Sequence, residues 1–186
     1  MAMRRWLLPE LQRDAACALA EECEIQPFLA LLLTTRGITT ADEALSFLVG
    51  GEEDDPFSLV DMDLAVERIE RAIDTGESVM IYGDYDVDGV TATALLYEYL
   101  KSRGANVTYR LPTRAGDGYG LHTAAIDAFA ADGVSLLITV DNGITAVEEV
   151  AQANAAGMDV IVTDPHKPQE TLPQAEETAF SLAIPA

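Results

Sequence analysis

The 186 residues carry 32 acids against 11 Lys and Arg, a formal charge of −21, and 49% of them are hydrophobic. That length buries one substantial core with room for a small extension, and the acidic excess excludes a broad phosphate-neutralising surface, so any nucleic-acid contact must be local. No apolar run reaches the roughly 20 residues of a membrane span, and Pro9 and Glu10 cut short the apolar stretch after Arg4 and Arg5, which excludes a secretory signal and predicts a cytoplasmic protein with no membrane partner.

Residues 11–48 read as short helices, with Leu29, Leu32 and Leu33 on one face and a capped start at Thr39-Thr40-Ala41-Asp42-Glu43. Cys17 and Cys23 have no zinc-knuckle spacing and are expected to be buried apolar residues. Gly50 to Pro56 combines a breaker with a run of acids, the composition of a solvated linker, and places a boundary near residue 55. An amphipathic helix over 62–74 follows, with Leu64, Ile69 and Ala72 on its apolar side and Gly76 at its end.

Four short β-rich runs come next, at 79–82, 107–111, 136–140 and 160–163, separated by helical stretches near 91–102, 123–131 and 145–156. Strand alternating with helix at this spacing predicts an α/β fold: a parallel β-sheet flanked by helices, with a small helical N-terminal extension. In such a sheet ligands sit outside the carboxyl ends of the strands. All four ends carry chemistry. The first runs into Asp84, Asp86, Asp88 and Gly89, the second into Pro112-Thr113-Arg114, the third into Asp141-Asn142-Gly143 and the fourth into Asp164-Pro165-His166.

Taken singly, each of these residues has an ordinary explanation. An Asp after a strand serves as a cap or turn residue, Arg114 as a surface ion-pair partner, and His166 as an exposed loop histidine. Asp84-Tyr85-Asp86-Val87-Asp88-Gly89 partly mimics a calcium-binding hand, but the twelfth position is Leu95 where a bidentate Glu is needed. Taken together, acids converging from several strand ends repel one another and call for hard divalent cations, which take carboxylate oxygens and, for manganese, imidazole as well. Two such ions are the usual apparatus of phosphodiester hydrolysis. Arg114 would then hold a phosphate bidentately. In Gly116-Asp117-Gly118-Tyr119-Gly120 the backbone at Gly118 and Gly120 could approach a phosphate or base, and Tyr119 could stack on one; a flexible turn is the alternative.

The stretches Ile81 to Thr91, Leu111 to Leu121 and Thr139 to Ile144, with Val162 to Pro168 where an Asp-His-His signature stands, resemble the motifs of RecJ-type single-strand-specific exonucleases of the DHH phosphoesterase superfamily. The resemblance implies processive removal of nucleotides from the 5′ end of single-stranded DNA in recombination and repair, with Mn2+ or Mg2+ as cofactor. It implies metal and catalytic roles for Asp84, Asp86, Asp88, Asp141 and His166, a metal role for Asp164, and substrate contacts from Arg114, Gly118, Tyr119 and Gly120. The similarity runs from about Phe28 to Glu177; with the boundary near residue 55, residues 1–55 are expected to form the helical extension, 56–178 the DHH domain and 179–186 a divergent tail. A single-strand-binding protein or helicase is the implied protein partner.

Two departures qualify it. Pro165 occupies the position of the first signature histidine and has no lone pair to give, so one metal position is expected to be weakened. Family members also continue into a C-terminal domain and a nucleic-acid-binding module, so a truncated or frame-shifted gene, impaired as an isolated fragment, is expected. The alternatives are a phosphodiesterase for small molecules or short oligonucleotides, and a catalytically dead binding or scaffold fragment.

Overall fold

In the computed structural model, residues 10–50, 55–113, 120–167, 172–173 and 179–182 are described. The chain divides into two compact units, Met1–Asp54 and Asp55–Ala186. The first contains α1 (Arg13–Glu22), α2 (Pro27–Thr34) and α3 (Ala41–Val49), around a small core of Ala16, Leu19, Ala20, Ala30, Leu33 and Ala44. Thr40 caps α3 in the expected way: its side chain accepts from the Glu43 N–H while the Glu43 carboxylate accepts from the Thr40 N–H. Cys17 is exposed and Cys23 half-buried, because the buried stripe of α1 runs through Ala16, Leu19 and Ala20. Leu33 and, in part, Leu29 pack inward, whereas Leu32 is exposed.

The second unit is built on the β-rich runs. After a 3₁₀ turn at Pro56–Ser58 come α4 (Met62–Thr75), β1 (Ser78–Gly83), α5 (Val87–Ser102), β2 (Asn106–Arg110), α6 (Thr123–Ala131), β3 (Leu136–Val140), α7 (Val147–Ala155), β4 (Asp159–Thr163) and β5 (Ala179–Leu182). The sheet is parallel throughout, in the order β2-β1-β3-β4-β5. β5 adds to the four predicted strands and lies where a divergent tail is expected. Every residue of β3 is buried, as a central parallel strand covered on both faces requires.

One core layer joins Val79, Ile81, Leu136, Ile138 and Ile161 to Ala65 and Ala72 of α4 and Leu100 of α5. The other joins Met80, Tyr82, Leu137, Val160 and Val162 to Ile126 and Phe129 of α6 and to Val150 of α7. This follows from the alternation of strand side chains between faces. The buried side of α4 runs through Ala65, Arg68 and Ala72, and Leu64 is exposed, against expectation. At 3.6 residues per turn, Leu64 lies about 140° around the helix from Ile69. Arg68, 5% exposed, bonds Asp159 at the start of β4 and Glu77 just before β1, each at 2.5 Å, and so pins α4 to the amino ends of two strands.

The chain leaves β1 for β2 on one side and returns to β3 on the other. The carboxyl ends of β1 and β3 therefore flank the point where strand order reverses, which is where a crevice opens in such folds. Among the described residues no helix is long and apolar enough to cross a membrane.

Candidate active site

Asp84 follows β1 directly and is 2% exposed, with Oδ1 enclosed and lacking a hydrogen-bond partner among the described residues. The next turn is tight. A Cβ at Gly89 would lie 2.6–2.7 Å from Asp84 N, Cβ and O, so only glycine lets the first turn of α5 rest on the Asp84 backbone. The helix begins at Val87, earlier than the expected residue 91, because Asp86 caps it: its Oδ1 accepts from the N–H groups of Asp88 (3.0 Å) and Gly89 (3.1 Å). The cap engages one oxygen of Asp86 and not the other.

At the end of β3 the backbone turns left-handed at Asp141 (φ 62°), a conformation that Asp adopts more readily than most residues. Its N–H donates to the Thr163 carbonyl at 2.8 Å, tying the turn to β4. Asn142, fully buried, donates Nδ2 to the carbonyls of Tyr82 (3.2 Å) and Val140 (2.9 Å). It holds the ends of β1 and β3 together. Sequence reasoning assigned Asn142 no role, although its place in the third strand-end motif was the signal.

These turns bring one oxygen each of Asp84, Asp86 and Asp141 within 4.8 Å of one another. Asp164, 3% exposed, accepts from the Ile144 N–H through Oδ2 (2.9 Å) and from the His166 N–H through Oδ1 (2.9 Å). The His166 Nδ1 lies 2.7 Å from the same Oδ1 and 4.0 Å from Asp141 Oδ1. An Nδ1–H donated to Asp164 leaves Nε2 as the imidazole's lone-pair atom. Asp88 is exposed and stands outside the close trio. With Asp141, Asp164, Pro165, Leu59 and Met62 it borders a cavity of about 440 Å³. Position 165 thus faces the acids that its neighbours serve.

Gly120, the last residue of the glycine-rich sequence, has φ 88°, and its carbonyl accepts from the Tyr82 hydroxyl at 3.1 Å. Arg114, Gly118 and Tyr119 lie outside the described residues.

The electrostatics are those of acids crowded together. Burial, then the Asp86 charge, push the Asp141 carboxyl above its ordinary range; His166 opposes this, and Asp164 and Asp88 add to it. The hydrogen bond to Asp164 raises the His166 imidazole against the opposing effect of burial, and the charges of Asp164, Asp141 and Asp84 raise it further. Two carboxylates about 5 Å apart repel by ~3 kcal/mol at an effective dielectric of about 20. An unpartnered buried carboxylate oxygen on Asp84, two neighbouring carboxylates and an imidazole together form a donor set that suits a hard divalent cation.

The model of the DHH family's N-terminal domain matches residues 78–183. The chain belongs to the DHH family. The match takes in β5, which extends the DHH sheet beyond β4. The single-stranded-DNA-specific exonuclease RecJ of Bacillus subtilis is 42% identical over 171 residues, 91% of this chain and 22% of that protein. A crystal structure of exonuclease RecJ bound to manganese is 34% identical with a TM-score of 0.60, over 68% of this chain and 31% of that one. The RecJ of Thermus thermophilus in complex with Mn2+ is 28% identical with a TM-score of 0.64, over 95% of this chain and 24% of that one. This DHH chain thus spans about a quarter of the length of these relatives.

Proposed function

We propose that this chain carries a metal-dependent phosphodiesterase site that releases nucleotides from the 5′ end of single-stranded DNA, in cytoplasmic recombination and repair. The observation that carries the reading is the meeting of Asp84, Asp86 and Asp141 at the strand-order reversal, with the Asp164–His166 pair beside them. The solved relatives bound to manganese support the choice of metal.

In this reading Asp84, Asp86 and Asp141 hold Mn2+ or Mg2+, and Asp88, Asp164 and His166 complete the donor set. Divalent cations, when bound, supply a nucleophilic water and stabilise the charge that develops on the phosphate. The protein's own groups place everything else. Asp86 fixes the start of α5, Asn142 fixes the spacing of β1 and β3, and Asp164 orients the His166 ring. Arg114 takes a phosphate in its planar fork, while Gly118, Tyr119 and Gly120 receive the nucleotide. A single-strand-binding protein or helicase is the partner that such an activity calls for. Pro165 removes one nitrogen donor and lowers activity without abolishing it.

The test is manganese-dependent nucleotide release from 5′-phosphorylated single-stranded DNA, with Asp86→Ala and Pro165→His alongside. Activity abolished by Asp86→Ala and raised by Pro165→His is expected. Turnover of dinucleotides but not of long strands would replace the reading with a short-oligonucleotide phosphodiesterase. No turnover in any form would leave a binding fragment.

A further inference from the structure

The chain's scarce positive charge is unevenly placed. Residues 97–110 hold Lys101, Arg103 and Arg110 against a single acid, Glu98, together with Tyr97, Tyr99 and Tyr109. Half of the six tyrosines thus lie in fourteen residues of a chain whose net charge is −21. These residues form the end of α5 and the edge strand β2. On α5, Val90, Thr93, Ala94, Tyr97 and Lys101 recur at helical spacing, and on β2 Tyr109 projects to the same side of the sheet as α5.

The rings of Tyr97 and Tyr109 meet edge to face at 5.0 Å, and Tyr109 is 55% exposed. Lys101 Nζ stands 3.2 Å from the Tyr97 hydroxyl and 5.1 Å from its ring centroid. Lys101 also suits the C-terminal end of α5 electrostatically, but that does not account for an exposed tyrosine on an edge strand beside it. A cavity of about 250 Å³ lies between these rings and Val90, Thr93 and Leu111. Val90 also borders a second cavity, about 510 Å³, whose other walls include Tyr85 and Asp86. The two have Val90 in common and follow one another as a seam along α5 from Asp86 to Tyr97, a length of about 15 Å at 1.5 Å of helix rise per residue. That is room for two to three nucleotides, roughly, beyond the reacting end.

We propose that the α5–β2 seam is a track for single-stranded nucleic acid, in which bases stack on Tyr97 and Tyr109 and a phosphate pairs with Lys101. Aromatic faces with a local cation are the sequence-tolerant way to hold a single strand, and they suit a body too acidic to use a broad basic surface. Glu98 lines the same cavity as Tyr97 and Tyr109 and, as an acid, weakens the attraction of the seam for phosphate, so the stacked rings carry most of the contact. The proposal depends on the phosphodiesterase reading only for where the strand ends.

Its test is binding, by fluorescence anisotropy, of an oligo(dT) of roughly ten nucleotides and of a dinucleotide to the whole chain in EDTA. No hydrolysis proceeds there, so failure of the phosphodiesterase reading leaves this measurement standing. The longer strand should bind more tightly, and Tyr109→Ala should cut that advantage about tenfold, the worth of one stacked base. Tyr109→Trp, which keeps a stacking face, should retain it. Leu95→Ala, at an exposed position off the seam, should not alter it. Lys101→Gln should lower the slope of log affinity on log salt by about 0.7, one phosphate contact. Equal loss with Tyr109→Ala and Leu95→Ala, or no length advantage in the parent chain, would overturn the track. So would unchanged strand binding by Tyr109→Ala together with a shift from dimer to monomer in light scattering, which would make the edge a protein contact.

Discussion

Asp86 has two tasks that can be separated by substitution. One oxygen caps α5 while the carboxylate also belongs to the close trio with Asp84 and Asp141. Asp86→Ala should lower manganese-dependent nucleotide release by about 100-fold or more and, through loss of the cap, cost about 1 kcal/mol in a urea titration. Asp86→Ser keeps a capping oxygen and removes the charge, so it should lose the activity while retaining most of the stability. Gly89 is constrained differently. Gly89→Ala would drive a methyl against the Asp84 backbone at 2.6–2.7 Å, where no flexible side chain can yield, and should destabilise by about 2 kcal/mol or more. The glycine was visible in the sequence as part of an Asp-x-Asp-Gly pattern. Its reason was not, because the clash is with backbone that only the folded turn brings near.

At the scale of elements, the ion-pair cluster of Arg68 with Glu77 and Asp159 fastens α4 to the sheet at the end opposite the candidate active site. Breaking it with Arg68→Ala leaves Glu77 and Asp159 with the more distant, exposed Arg71, 3.8 Å from Asp159; because both carboxylates are also about a quarter exposed, the cost should be roughly 2 kcal/mol, less than for a fully buried pair. Burial pushes the Glu77 carboxyl up, but hydrogen bonds from Arg68 and Thr75 and the charges of Arg68 and Arg71 outweigh it and hold the group below its ordinary value of 4.5. A depressed carboxyl stabilises the fold above that value and ceases to as pH falls through its lower folded value. The stability gap between parent and Arg68→Ala should therefore be full near neutrality and narrow as pH falls below 4.5, read by urea titration across pH. None of this was legible in the sequence. Arg68 occupies a position on the apolar stripe of α4, and its partners are 9 and 91 residues away. The exposed Leu64 shows the same limit: hydrophobicity alone assigned it to the stripe, and the packing of α4 on the sheet chose Ala65.

For the whole molecule, a cation held by the crowded acids at one end of the sheet would couple to folding. A cation that binds only the native site stabilises it, by about 2.7 kcal/mol at a hundredfold excess over its Kd. Manganese should thus raise the Tm of the parent chain by several degrees, and Asp84→Asn should lose most of that rise in differential scanning fluorimetry. An equal rise in both would mean that the ion acts by general screening of the −21 charge.

Strand and helix periods, and the loaded strand ends, were sufficient to read the parallel α/β architecture and the acids at its crevice from sequence, because these signals are local and repeat in every βα unit. Strand order, the fifth strand, the capping duty of Asp86, the tie made by Asn142 and the seam between Tyr97 and Tyr109 came only with the tertiary structure. Each joins residues far apart along the chain or on different elements, and local pattern carries no information about which of them will meet.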